Sequence, residues 1–179
     1  MNIRRIFILF SLMVIFTFNL KSSFCQTSIS GEQEIDELMK IAAENYDMNN
    51  QDAVILFDGV KNHWTENQRQ TKFVHRIVWI NSSVAIRRYA DIPVEYDIER
   101  QSFSLITLRT WRDGQWWETD TAGVVETLPS SVRTAYDYAN LREMMLLHIG
   151  IELPCILEEA YFIQDAVSFR KGVHGSKLY

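Results

Sequence analysis

Apolar positions along this chain are first continuous, then spaced at helical intervals, then alternating. Ile6 to Leu20 is an almost unbroken apolar run, preceded by Arg4-Arg5 and closed by Lys21-Ser22-Ser23-Phe24-Cys25. A basic start, an apolar middle and a polar end with small residues make a secretory signal. A bilayer span takes about 20 apolar residues, and this run is shorter. Residues 1–25 are therefore expected to be an export signal. Ser23 and Cys25 suit the positions before the cleaved bond, which leaves Gln26 as the first mature residue. Lipidation of Cys25 is the lesser alternative, because bulky Phe24 stands where a lipoprotein signal carries a small residue.

Behind this block the spacing becomes helical. Ser30-Gly31-Glu32-Gln33 has the form of a capping box, and Ile35, Leu38, Met39 and Ala42 follow at helical intervals. Glu32, Glu34, Asp36 and Glu37 crowd the first turns, where the helix dipole favours acids. Asn49-Asn50 ends the pattern, so residues 26–50 are read as an N-terminal helical segment.

From residue 51 the period falls to two. Ala53 to Phe57 is a compact apolar run closed by Asp58-Gly59, and it predicts a buried strand. Phe73 to Ile80 is rich in β-branched and aromatic residues, and Val84 to Ile92 reads as another strand after the turn-like Asn81-Ser82-Ser83. The run from Phe103 to Trp111 is separated from Trp116-Trp117 by Asp113-Gly114, a strong hairpin signal. Arg142 to Ile149 and Ile156 to Gln164 add further strands. About seven or eight strands at short intervals indicate a sandwich rather than βαβ units. The predicted fold is mainly β: an antiparallel β-sandwich over residues 51–179, preceded by a short N-terminal helix.

Composition narrows the classes. The 179 residues are 47% hydrophobic and 12% aromatic with 7 Gly and 3 Pro, enough apolar mass for one core and unlike a disordered or low-complexity chain. The net charge of -5 gives no reason to expect nucleic-acid binding, and loss of Arg4, Arg5 and Lys21 with the signal makes the chain more acidic still. Of the two cysteines one lies at the signal boundary, so mature Cys155 has no internal disulfide partner.

Few residues carry a motif with a chemical meaning. His63, His75, His148 and His174 form no paired metal motif, and there is no CxxC and no Gly-rich phosphate loop. His75, beside Arg76 in a predicted strand, reads as a strand-surface or half-buried histidine. Cys155 has no cationic setting that would make it a nucleophile and reads as a core thiol. Carboxylates such as Glu95, Glu118, Glu158 and Glu159 are taken as solvated charge, since glycosidase-type pairing depends on a spatial separation that sequence does not supply. No catalytic, cofactor-binding or metal residue is assigned. The aromatic enrichment is the one candidate for binding. Trp116 and Trp117 must point to opposite faces of a strand, so with Trp111 they are candidates to stack on a glycan or peptide, against the plainer reading that they fill the core.

Several segments in order resemble the domain of unknown function 3857, found at the N-terminus of secreted bacterial transglutaminase-like proteins. They are Asp52 to Asp58, His75 to Ile80, Arg109-Thr110-Trp111-Arg112-Asp113-Gly114, and the block from Tyr136 to Glu143 running on to Glu158-Glu159-Ala160-Tyr161. Where that family carries Glu-Pro-Gly, this chain has Glu152-Leu153-Pro154-Cys155, so the corner there is expected to be built differently. The transglutaminase-like domain with its Cys-His-Asp site does not appear before Tyr179, and Cys155 is not that nucleophile. The resemblance thus implies an exported, non-enzymatic accessory module, cut short at its C-terminal end and without a cofactor. It would pack on, or present substrate to, a peptide- or protein-processing partner in the periplasm or outside the cell. It would touch a membrane only if Cys25 is lipidated.

Overall fold

The computed structural model describes residues 32–132 and 140–168. The expected signal segment at residues 1–25, residues 26–31, the first half of the block from Tyr136 to Glu143 and His174 lie outside the described residues, as does the end of the chain. Helix α1 (Glu32–Asn45) follows the predicted stripe: Ile35 and Ala42 are buried, with Leu38 and Met39 packed beside them. The Asn45 amide donates to the Ile41 carbonyl at 2.7 Å and closes the last turn. A 3-10 turn at Met48–Asn50, capped by Asp47, leads into the sheets.

Eight strands are present among the described residues: β1 (Ala53–Trp64), β2 (Gln70–Ile80), β3 (Asp91–Asp97), β4 (Gln101–Arg112), β5 (Gln115–Glu118), β6 (Val124–Thr127), β7 (Leu141–Leu147) and β8 (Cys155–Asp165). All pairings are antiparallel. One sheet has the order β1-β2-β8-β4-β5 and the other β3-β7-β6. Ile92 and Val94 of β3, Leu146 of β7 and Leu108 of β4 are buried together, which joins the small sheet to one face of the large one. On the opposite face α1 covers Val54, Ile77, Trp79 and Ile156. The chain is thus a mainly β, antiparallel sandwich with an N-terminal helix.

Two local readings are corrected. Val84 to Ile92 is not one strand, because residues Ser83–Tyr89 form helix α2. The Ser82 hydroxyl accepts from the Ala85 N–H at 3.2 Å, and an N-cap there outweighs the β-branched character of Val84 and Ile86. Only then does β3 begin, with Ile92, Val94 and Tyr96 facing inward and their neighbours outward. Asp58-Gly59 does not end β1 either. That strand runs through it after a bulge between Ile55 and Phe57, and the turn comes at residues 65–69, where Gln68 takes a positive φ of 59°. By contrast, Asp113 and Gly114 form the expected tight turn, with φ of 52° and 75°.

The centre of the large sheet is buried on both sides. Helix α2 packs over Val78, Ile80, Cys155 and Leu157, while α1 covers their strand neighbours. This explains why Ile77 to Ile80 and Cys155 to Leu157 read as continuous apolar runs instead of alternating.

Candidate functional site

Strand β8 carries two acids through that centre. Cys155 to Ala160 are all buried, and Glu158 and Glu159 are each only 2% exposed. Adjacent strand residues point to opposite faces, so the two carboxylates stand back to back across the sheet. A buried charge is costly unless it is paired. Each of these acids is met by one arginine and one histidine from other strands or strand ends.

Glu158 lies on the α1 face. Arg109, directly opposite it on β4, donates from Nε to Oε2 at 2.6 Å. His75 on β2 places Nε2 2.9 Å from Oε1. The Arg109 guanidinium also lies 4.0 Å from the centre of the Trp116 ring, a cation–π contact, and 3.5 Å from Glu118. Both carboxylate oxygens are therefore engaged, and His75 is a buried part of this network and not a strand-surface residue.

Glu159 lies on the opposite face. Arg76, directly opposite it on β2, donates from Nε to Oε1. Just past the end of β7, His148 brings Nε2 to 3.5 Å from Oε2. The contact makes no hydrogen bond. Among the described residues Glu159 Oε2 and both ring nitrogens of His148 have no hydrogen-bond partner. Glu158 and Glu159 are thus paired interior charges, and the expectation of solvated acids fails for both. A signal was present in the sequence: two acids interrupt an apolar central strand, and the adjacent His75-Arg76 pair interrupts another.

A pocket of about 310 Å³ opens beside Glu159. Its floor holds Glu159, Arg76 and Tyr161, and its rim holds Asp58 from β1, Arg88 from α2 and Asp91 from β3. Burial pushes the Tyr161 hydroxyl up to about 12, reinforced by the nearby Glu159 and Asp58 charges and opposed by Arg76. The group therefore stays a neutral donor at ordinary pH.

The tryptophans separate as the alternation requires. Trp111 and Trp116 are half-buried, 5.3 Å apart edge to face, and pack against the core under α1. Trp117 is 42% exposed on β5, with the Arg112 guanidinium 4.4 Å from its ring centre. Of the three candidates for stacking, Trp117 alone presents its ring to solvent. Cys155 is a buried free thiol pushed up to about 11 by burial, with a backbone hydrogen bond at Glu152 and the Arg112 charge opposing. No group of three or more His, Cys, Asp or Glu side chains among the described residues is placed to hold a metal ion.

A crystal structure from Parabacteroides distasonis, described as a "putative protease", matches this fold with a TM-score of 0.62 at 21% identity. The match covers 66% of this chain and 24% of that one, so this chain spans about a quarter of its neighbour's length. Among curated proteins no match is found. The family model of DUF3857, a domain of unknown function with a solved structure, matches residues 66–177. The match starts after β1, so Asp52 to Asp58 lie ahead of it, and it takes in the Arg109–Gly114 hairpin and both buried acids. With more than half of its length matched in one continuous span, this chain belongs to the DUF3857 family.

Proposed function

We propose that this chain is an exported, non-catalytic β-sandwich module that packs on, or presents substrate to, a domain that processes peptides or proteins. The observation that carries the reading is the recurrence of this fold as 24% of a longer chain described as a "putative protease". The family's association with transglutaminase-like proteins points the same way. The interior chemistry agrees as well. Burial holds Cys155 as a thiol, and both oxygens of Glu158 are tied to an arginine and a histidine. Neither is poised as a nucleophile or a general base, which must reach its substrate.

Two measurements test this. The purified protein is expected to show neither hydrolysis of casein nor amine incorporation into a glutamine-containing peptide, and turnover in either assay overturns the non-catalytic reading. Expressed in a bacterial host, the protein is expected in the exported fraction with Gln26 at its N-terminus. Retention in the cytoplasm with residues 1–25 intact overturns export. A lipid mass on Cys25 replaces the soluble form with a membrane-anchored one.

A second reading rests on Trp117, an exposed ring on the outermost strand of the large sheet. Exposed aromatic rings stack on sugars and peptides, and Arg112 braces this one from one side. Titration with soluble polysaccharides is expected to shift tryptophan fluorescence in the parent protein and not in Trp117→Ala. An equal shift in both removes Trp117 from the binding surface.

A further inference from the structure

The small sheet has three strands against five, and its β3 side leaves part of β1 and β2 uncovered. The pocket of about 310 Å³ lies in that gap, near the low end of the range of small-ligand sites. Its charge is divided in a specific way. Asp58 and Asp91 on the rim make no ion pair or side-chain hydrogen bond with a described residue, while Glu159 lies at the floor with Oε1 held by Arg76 and Oε2 3.5 Å from His148 Nε2. Glu159 is already met by Arg76 and His148, so the carboxylates left open to a ligand are Asp58 and Asp91, and two guanidiniums stand across from them. Arg76 spends Nε on Glu159 and makes no hydrogen bond from its Nη groups to a described residue. Among the described residues Arg88 meets the face of Tyr89, 5.5 Å away, and makes no ion pair.

A lone anion would meet two arginines but also the Asp58 and Asp91 carboxylates, and a lone cation the reverse. A ligand carrying both charges satisfies each set at once. Val74, Ile92 and Pro93 supply an apolar wall between them for a small side chain. Tyr161, held neutral, adds a hydroxyl donor. We infer that this pocket binds a small zwitterion with a free ammonium and a free carboxylate, an amino acid or a dipeptide. Its ammonium lies toward Asp58 and Asp91, and its carboxylate takes paired N–H donors from Arg88 and Arg76. This stands without the module reading above, since the pocket is complete within one chain and uses none of the tryptophans.

Alanylalanine is the probe, titrated into the purified full-length protein and followed by calorimetry. Saturable binding is expected, with a dissociation constant of about 1 mM or tighter. N-acetyl-alanylalanine, which lacks the ammonium, and alanylalanine amide, which lacks the carboxylate, are each expected to bind about tenfold more weakly, which corresponds to about 1.4 kcal/mol. Arg88→Ala and Asp58→Asn change exposed side chains, so they are expected to weaken alanylalanine by a similar factor while leaving the melting temperature unchanged. No saturable heat up to about 20 mM, where a ligand of that affinity would be nearly fully bound, overturns the proposal. Equal binding of the blocked forms overturns it too, as does undiminished binding by both variants. Loss of binding with N-acetylation alone reduces the pocket to an amine site and equally defeats the zwitterion.

Discussion

At the scale of single residues, the interior acids dominate. Glu158 sits in the buried centre of the large sheet, with its two oxygens bound by Arg109 and His75. Glu158→Ala removes the acid and leaves the Arg109 guanidinium without its buried partner. It is expected to lower unfolding free energy in urea by about 3–5 kcal/mol, whereas Glu158→Ala combined with Arg109→Met recovers much of the loss. A single-variant loss below about 1 kcal/mol would show the pair to be solvated. Three other groups set the response to alkali. Burial raises Cys155 from 9.0 to about 11 and Tyr161 from 10.0 to about 12. Tyr96, buried and donating to Glu126 at 2.5 Å, is raised from 10.0 to about 12 as well. In the unfolded chain each loses its proton at lower pH than in the folded one, so ionisation favours unfolding. Their contribution is whole below pH 9.0 and is lost progressively as pH climbs toward about 12. The melting temperature is therefore expected to fall beyond pH 9.0, and Cys155→Ala is expected to flatten the first part of that fall.

At the scale of elements, short-range rules succeed where local chemistry decides and fail where distant strands decide. The Asp113-Gly114 hairpin, the α1 stripe and the cores of β2, β4, β7 and β8 follow from residues adjacent in sequence. Helix α2 does not, because Val84 and Ile86 carry strand propensity while the outcome rests on one hydroxyl. Ser82→Ala is accordingly expected to cost about 1 kcal/mol by urea unfolding, and Ser82→Asp, which keeps a capping oxygen, well under half of that. A loss with Ser82→Asp as large as with Ser82→Ala would assign the effect to something other than the cap. The candidate site was less legible. His75-Arg76 and Glu158-Glu159 stand far apart in sequence, and only the antiparallel β2–β8 register sets Arg76 opposite Glu159. The pocket draws on β1, β2, α2, β3 and β8, so no single segment carries its pattern.

At the scale of the whole molecule, the mismatch between a five-stranded and a three-stranded layer has a second consequence beyond the pocket. Strand β1 is the outer strand of the large sheet, pairs only with β2 among the described strands, and extends over 12 residues. Its register places Ile55, Asp58 and Val60 on the face toward the small sheet, and the small sheet stops short of them. Ile55 and Val60 are consequently 50% and 52% exposed. A long outer strand with apolar side chains offers unpaired backbone groups and apolar area to another strand, and proteins blunt such edges with charge. Here Asp58 is the one charge in the stripe, between Ile55 and Val60, and Lys61 points to the other face. The purified protein is therefore expected to self-associate reversibly as its concentration rises, which sedimentation velocity would read as a concentration-dependent shift toward dimer. Val60→Lys replaces an exposed apolar side chain of the stripe with a charge without touching the core or the pocket lining, and it is expected to raise the concentration at which association begins by about tenfold. An unchanged monomer at every concentration in the parent protein, or association indifferent to Val60→Lys, would mean that β1 is not the surface through which copies meet.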